Sequence, residues 1–289
     1  MGNMVSKFVP GGLQASIMAV LPGLRPSEAK VMRLVLEDST FVRSASTQEV
    51  AERAEVSPAT VVRAVRAAGF PGFGDLKLAL AGDLALHQDS ARPGELTRAS
   101  TVDEISELVL SSHATSISAT RATIDSVELG RAVELLTAAE SILVFGVGTS
   151  AAPAADAAYR WTAIGCRVSA PRDARTGQLQ ARLLHPGDVV VAISHSGQSQ
   201  ETLSVASAGV TAGAGVVAIT SFAASPLAGL AAALLVAGGP DLGLQMAASS
   251  SRLAHLAVVD IVHAALSLAD GERTRRALGI AVEIAEEYS

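Results

Sequence analysis

Cysteine is nearly absent from this chain. A single one, Cys166, excludes an internal disulfide framework and points to a reducing, cytoplasmic setting. Aromatic residues make up only 3% of the sequence, which excludes a core built on large rings; the abundant alanines suit closely packed helices instead. Charge is sparse at 17%, yet 49% of the residues are hydrophobic, so the composition excludes a disordered chain. No apolar run reaches membrane-spanning length, Pro226 to Ala237 being about half of what is needed. The first residues do not resemble a signal peptide. Met1-Gly2-Asn3-Met4-Val5-Ser6 matches the letters of a myristoylation pattern, but no polybasic patch follows it. No membrane partner is expected.

At 289 residues the chain has room for two domains. The net charge of −6 is unevenly spread: residues 1–99 hold 11 Lys and Arg against 10 Asp and Glu, residues 100–289 hold 11 against 18. A near-neutral N-terminal part on an acidic body suits a segment that approaches an anionic polymer. The turn signals there predict short helices. Leu13 to Leu21 ends at Pro22-Gly23, and Ser27 is positioned to cap a helix carrying Val31, Leu34 and Val35 on one face. Thr47 is positioned to cap the next helix, and Ser57-Pro58 starts a third that ends at Gly69. Two short helices about four residues apart have helix-turn-helix spacing. On the third helix, Ser57, Ala59, Thr60, Arg63 and Arg66 are read as an outward face that enters the major groove of a double-stranded DNA operator. Periodicity alone fits a helical bundle with a solvated arginine face equally well.

These residues resemble the N-terminal domain of the RpiR family of bacterial transcription regulators. The resemblance rests on Leu24-Arg25-Pro26-Ser27-Glu28, Gln48-Glu49-Val50-Ala51, Val56-Ser57-Pro58-Ala59-Thr60-Val61-Val62-Arg63 and Gly69-Phe70-Pro71-Gly72-Phe73, followed by Leu76-Lys77-Leu78-Ala79-Leu80. Glu55 departs from the pattern, standing at the turn where such domains have glycine; a left-handed residue without glycine costs roughly 1 kcal/mol there. Asp89 to Gly94 reads as a linker, and helices are predicted over Val102–Ala122 and Ser126–Ala139. The expected division is 1–87 for the DNA-binding domain, 88–100 for the linker and 101–289 for the second domain.

In that second part, strands are predicted at Ile142–Phe145, Arg167–Ser169, Val189–Ser194, Val216–Thr220 and Leu234–Ala237, alternating with helices. This is the pattern of a three-layer α/β sandwich around a parallel five-stranded sheet, with ligands beyond the carboxyl ends of the strands. Val189 to Ile193 is apolar and mostly β-branched, the mark of a strand buried on both faces. It runs into Ser194-His195-Ser196-Gly197-Gln198-Ser199, and a helix follows from Glu201 to Ala212. A strand, a Ser/Gly loop and a helix start present N–H groups and hydroxyls to an anion. Without a P-loop lysine, the loop points to a small phosphorylated metabolite rather than a nucleoside triphosphate. On spacing alone, serines that merely cap the helix fit as well. Gly146-Val147-Gly148 lacks the third glycine and the distal acid of a dinucleotide site.

Together, the two hydroxyl-rich loops resemble the sugar isomerase (SIS) domain, which follows the helix-turn-helix in the RpiR family. The resemblance implies a phosphosugar held by Thr149, Ser150, Ser194, His195, Ser196, Gly197, Gln198 and Ser199, with Ser199 replacing the usual threonine. It extends to Val216–Thr220 with Ser225-Pro226-Leu227, and to Ser249-Ser250-Ser251-Arg252 with Asp260-Ile261. SIS domains also occur in aldose–ketose isomerases, which generally place a glutamate base before the closing helix. Residues 238–247 offer Asp241 and no glutamate, so a regulator is expected, not an enzyme. No metal or cofactor is expected; His255 and His263, eight residues apart, read as structural. Cys166 reads as a small buried residue, and Arg273, Arg275 and Arg276 as a solvated helix face. A homodimer or homotetramer would set two recognition helices on a pseudo-palindromic operator.

Overall fold

The computed structural model describes residues 13–86, 100–238 and 249–287. The myristoylation letters, the Asp89–Gly94 linker and the 238–247 segment, apart from Gly238, lie outside the described residues. Contacts between Cα atoms divide the chain into two units: 1–123 with 222–224 and 238–250, and 124–221 with 225–237 and 251–289.

The first unit is helical: α1 (Leu13–Val20), α2 (Pro26–Glu37), α3 (Ser39–Ser44), α4 (Thr47–Arg53), α5 (Pro58–Ala67), α6 (Phe73–Leu86) and α7 (Val102–Thr123). Contacts group α7 with this unit, whereas the sequence reading attached it to the second domain. Ile17, Val31, Met32, Val42, Val50, Val61, Val65 and Leu76 fill its core. Four residues separate α4 from α5, as the spacing predicts. Ser46, not Thr47, caps α4, forming a reciprocal pair with Glu49. The α2 start likewise differs: Arg25 is the cap position, and the Glu28 carboxylate accepts its N–H at 3.3 Å. At the other end of α5, Gly69 at φ +94° closes a Schellman motif, with Gly69 N–H donating to Arg66 O and Phe70 N–H to Val65 O.

The second unit holds α8 (Ser126–Ala138), β1 (Ile142–Phe145), α9 (Ala151–Ala163), β2 (Val168–Ser169), α10 (Ala174–Arg182), β3 (Val189–Ile193), α11 (Gln200–Thr211), β4 (Gly215–Thr220), β5 (Ala233–Val236), α12 (Ser249–Ala269) from Ser251 onward, and α13 (Gly271–Glu287). The strands form one parallel sheet in the order β2-β1-β3-β4-β5. Alternation along the central strands builds two cores. Ile142, Val144, Val189, Val191 and Ile193 face Leu136, Trp161, Val258 and Val262. Leu143, Phe145, Val190 and Ala192 face Ala181, Val205 and Ala206 on the other side. Helices thus cover both faces of β3, which is why its apolar run does not alternate with polar residues.

α12 corrects one expectation. Its Ser251–Ala269 segment is long and apolar enough, by length and composition, to cross a membrane. One face of it belongs to the core: Ala254, Val258, Val259, Val262 and Leu266 are buried against the sheet, while Ile261 and Leu268 are exposed. The apolar residues were missed as a run because polar positions interrupt them at helical spacing.

Candidate functional site

The order of the strands reverses between β1 and β3: β2 lies beyond β1, while β4 and β5 lie beyond β3. The chain leaving β1 enters α9, packed on one face; the chain leaving β3 enters α11, packed on the other. The two loops therefore diverge at a topological switch point, where open α/β sheets form their ligand crevice. Both hydroxyl-rich loops singled out from sequence emerge here.

In the first loop, a side chain at Gly146 would collide with Ser150 O and Ile193 O, so glycine lets the two strand ends approach. Gly148 turns the chain at φ +59°. Thr149 is exposed and Ser150 is buried at the cap position of α9. In the second loop, Ser194 is only 2% exposed. Its Oγ accepts the Gly197 N–H at 3.1 Å and lies 3.2 Å from Ser199 Oγ, so it braces the loop from behind. Ser196 Oγ, half-buried, accepts the Gln198 N–H at 3.2 Å, and Gln198 is exposed. Gly197 stands at φ +63° and has no space for a Cβ, which would meet Ser225 and Thr220. Both the backbone angle and the close approach require glycine.

Helix starts separate the two readings of these serines. In this unit α8 and α10 are capped by carboxylates: Asp125 accepts Val127 and Glu128 N–H, and Asp173 accepts Thr176 N–H. The helices after the two loops differ. Ser150 at α9 and Ser199 at α11 occupy cap positions yet make no side-chain cap hydrogen bond. The first-turn N–H groups of α11 and the positive end of its helix dipole remain available to an anion, whereas α9 continues a short 3-10 turn in which Ala151 N–H already donates to Gly148 O. No lysine or arginine stands at 146–150 or 194–202, so hydroxyls and amides are the donors.

Behind the second loop lies a network that sequence reasoning missed in part. His195 Nδ1 is 2.9 Å from Ser221 Oγ, which is 3.2 Å from His255 Nε2. Thr220 Oγ1 and Ser221 N–H both donate to His195 O, at 3.1 and 3.0 Å. Burial pushes the His255 imidazole down to about 3, and nearby His195 adds to the effect. The structural reading of His255 thus acquires a partner, Ser221, just past the end of β4. The signal was present in Thr220-Ser221, two hydroxyls closing an apolar strand. Arg273 also departs from the expected solvated face: its stem lies over Gly165, whereas Arg275 and Arg276 are exposed. Burial raises the pKa of the Cys166 thiol.

The α5 face is arranged differently from its sequence reading. Ser57, Ala59, Arg63 and Arg66 are exposed, but Thr60 is buried. Ser57 caps the helix through Thr60 N–H at 3.2 Å. The Thr60 hydroxyl turns back to Ser57 Oγ and accepts from Arg63 Nη2, each at 2.9 Å. Arg63 also lies 3.7 Å from the buried Glu28 carboxylate. Thr60 therefore orients Arg63 instead of facing outward, and Arg66 makes no ion pair among the described residues.

Comparison with known proteins places both halves. The profile described as a helix-turn-helix domain, rpiR family, matches residues 11–87, and that of the SIS domain matches residues 135–265. A helix-turn-helix-type transcriptional regulator of Caldanaerobacter subterraneus is 31% identical over 248 residues, covering 86% of this chain and 88% of that protein. The bifunctional protein glk of Paraburkholderia xenovorans is 32% identical over 88% of this chain, but the match spans only 39% of its own length. Among solved structures, Vibrio vulnificus NanR complexed with ManNAc-6P superposes with a TM-score of 0.61 at 27% identity, covering 96% of this chain and 99% of that one. Phosphoheptose isomerase of Neisseria gonorrhoeae shares the fold of the second unit, with a TM-score of 0.51 at 20% identity over 58% of this chain.

Proposed function

The chain belongs to the rpiR family of helix-turn-helix transcription regulators with an SIS domain, and from that premise we propose that its two hydroxyl loops hold the phosphate of a sugar whose binding alters operator affinity. One observation carries the reading: α9 and α11 begin at serines that do not cap them, beside neighbouring strand ends at the switch point. Ser150, Ser196 and Ser199 with the adjacent N–H groups receive the phosphate; Ser194 and Gly197 hold the loop in shape, and Thr149, His195 and Gln198 flank it. NanR, the solved relative bound to ManNAc-6P, makes that compound the first probe.

Ser57, Ala59, Arg63 and Arg66 on α5 meet the DNA, with Thr60 positioning Arg63. We take residues 1–87 as the DNA-binding part, leaving α7 outside it; the helix-turn-helix profile over residues 11–87 supports that limit. The chain works in the cytoplasm as a homo-oligomer, so that two copies of α5 address one operator. Sugar binding and DNA binding exchange 1–3 kcal/mol, about 5–150-fold in affinity. The site acts by binding, not by turnover: pure protein incubated with hexose and pentose phosphates is expected to leave them unchanged, and isomerisation would establish an enzyme.

The test is a melting-temperature screen of sugar phosphates against the full chain, since a ligand of the native state raises the melting temperature. Hydrogen bonds to charged groups contribute about 1.5–3 kcal/mol each, so Ser196→Ala with Ser199→Ala weakens binding roughly 100-fold or more. The melting shift then disappears while operator binding stays. An unaltered shift in that variant would place the ligand elsewhere.

A further inference from the structure

The segment that follows β4 holds the second loop by its main chain and by a side chain. Thr220 Oγ1 and Ser221 N–H both donate to His195 O, and Leu227 N–H donates to Gly197 O at 3.1 Å. Ser221 Oγ stands between two rings, 2.9 Å from His195 Nδ1 and 3.2 Å from His255 Nε2. A hydroxyl has one proton to give. It donates to one of these nitrogens, and the other must carry a proton and donate to it. His255 decides the direction. It is 1% exposed, and burial keeps its ring neutral, with a single N–H. The Ala237 carbonyl, which can only accept, favours a proton on this ring, while the buried His255 Nδ1 makes no hydrogen bond among the described residues. With Nε2 turned to Ser221, that proton belongs on Nδ1, and Nε2 is the bare acceptor. A buried histidine that served packing alone would bring polar atoms to satisfy, which an apolar side chain in its place would not.

We propose that Ser221 and His255 are positioning residues for the sugar-phosphate site: one directed chain, His195 Nδ1–H to Ser221 Oγ–H to His255 Nε2, holds the His195 ring in a fixed orientation beside the phosphate loop. The inference rests on the reading of residues 194–199 as that loop. Ser221 and His255 act through His195, which flanks the phosphate, and touch no ligand themselves. A hydrogen bond at one ring nitrogen fixes both the tautomer and the direction of the ring. A ring locked before the ligand arrives has no rotamer freedom left to lose on binding. The bonds to His195 O keep the main chain in register next to Ser196 and Gly197, whose N–H groups and hydroxyl belong to the same turn. The lock draws on the chain after β4 and on α12, two parts of the unit that supply no group to the phosphate.

Its test has two arms, both on the full chain. In the first, nitrogen NMR of the ligand-free chain with isotopically labelled histidine distinguishes N–H from bare ring nitrogen, and His195→Gln and His255→Gln assign the signals. A proton on His195 Nδ1 and none on His255 Nε2 is expected, with both signals moved by Ser221→Ala. In the second arm, ManNAc-6P binding is measured by titration calorimetry. Ser221→Ala and His255→Leu are expected to weaken it about 2–10-fold, and Ser221→Thr, which keeps the hydroxyl, to bind as the natural chain does. Urea midpoints read in parallel separate folding from binding: lower midpoints with unchanged affinity would assign both residues to stability alone and overturn the proposal. So would a His195 Nδ1 without its proton, or a loss in Ser221→Thr as large as in Ser221→Ala. The arms also separate the two claims. A natural chain with the expected nitrogen signals that binds neither ManNAc-6P nor any other sugar phosphate of the screen would end the reading of the loop, and this role with it. A natural chain that binds, with Ser221→Ala binding equally well, removes only the positioning role.

Discussion

Glu55 sits in the turn between α4 and α5 at φ +55°, the one non-glycine residue with positive φ among those described. A side chain there costs roughly 1–2 kcal/mol. Its ion pair with Lys30, 3.3 Å long and exposed, returns little. Glu55→Gly is therefore expected to raise stability by up to about 1 kcal/mol, read as a higher urea midpoint; a lower midpoint would mean the turn is not strained. This position was legible in the sequence because the turn has a fixed place between two capped helices. Thr60 was not legible, since periodicity placed it on the exposed arc and only the side-chain bonds to Ser57 and Arg63 turn it inward. His255 carries a pH signature. Its folded pKa of about 3 lies below the ordinary 6.5, so the unfolded chain binds the proton more readily. Stability due to this residue is intact above pH 6.5 and falls as the pH drops from 6.5 towards 3. Replacing it with asparagine should flatten the stability profile across that window; an equally steep profile would assign the loss to other groups.

At the scale of elements, the helix starts differ in what their first residues do. Asp125 and Asp173 close α8 and α10, so either one changed to alanine should cost about 1 kcal/mol. Ser199→Ala at the start of α11 should change stability by less than about 0.5 kcal/mol, because its hydroxyl caps nothing. Denaturation of the three variants checks the contrast, and a full capping loss at Ser199 would restore the plain structural reading. Sequence alone could not decide between these two roles: a serine before a helix looks the same whether or not its oxygen turns to the first N–H groups. The five strands were legible because β-branched runs between turn signals leave little choice, and their parallel order followed from the alternation with helices. Six-residue α3 was missed, being too short for a period of 3.6 to show. The starts of α2 and α4 shifted where Glu28 and Ser46 supplied the caps.

For the whole molecule, the phosphosugar site proposed at the switch point and the helix-turn-helix lie on one chain, and linkage makes any effect between them reciprocal: a sugar phosphate that changes operator affinity must have its own affinity changed by the operator to the same degree. The direction is set by which state each ligand prefers, and its size by the difference between those preferences. The most direct measurement is operator affinity by fluorescence anisotropy, with and without the sugar phosphate that gives the largest melting shift. The natural chain should change its dissociation constant by about 5–150-fold. The unphosphorylated sugar should have no effect, and Ser196→Ala with Ser199→Ala should bind the operator normally yet ignore the phosphate. An operator affinity that stays the same when the bound phosphate saturates the protein would contradict the account.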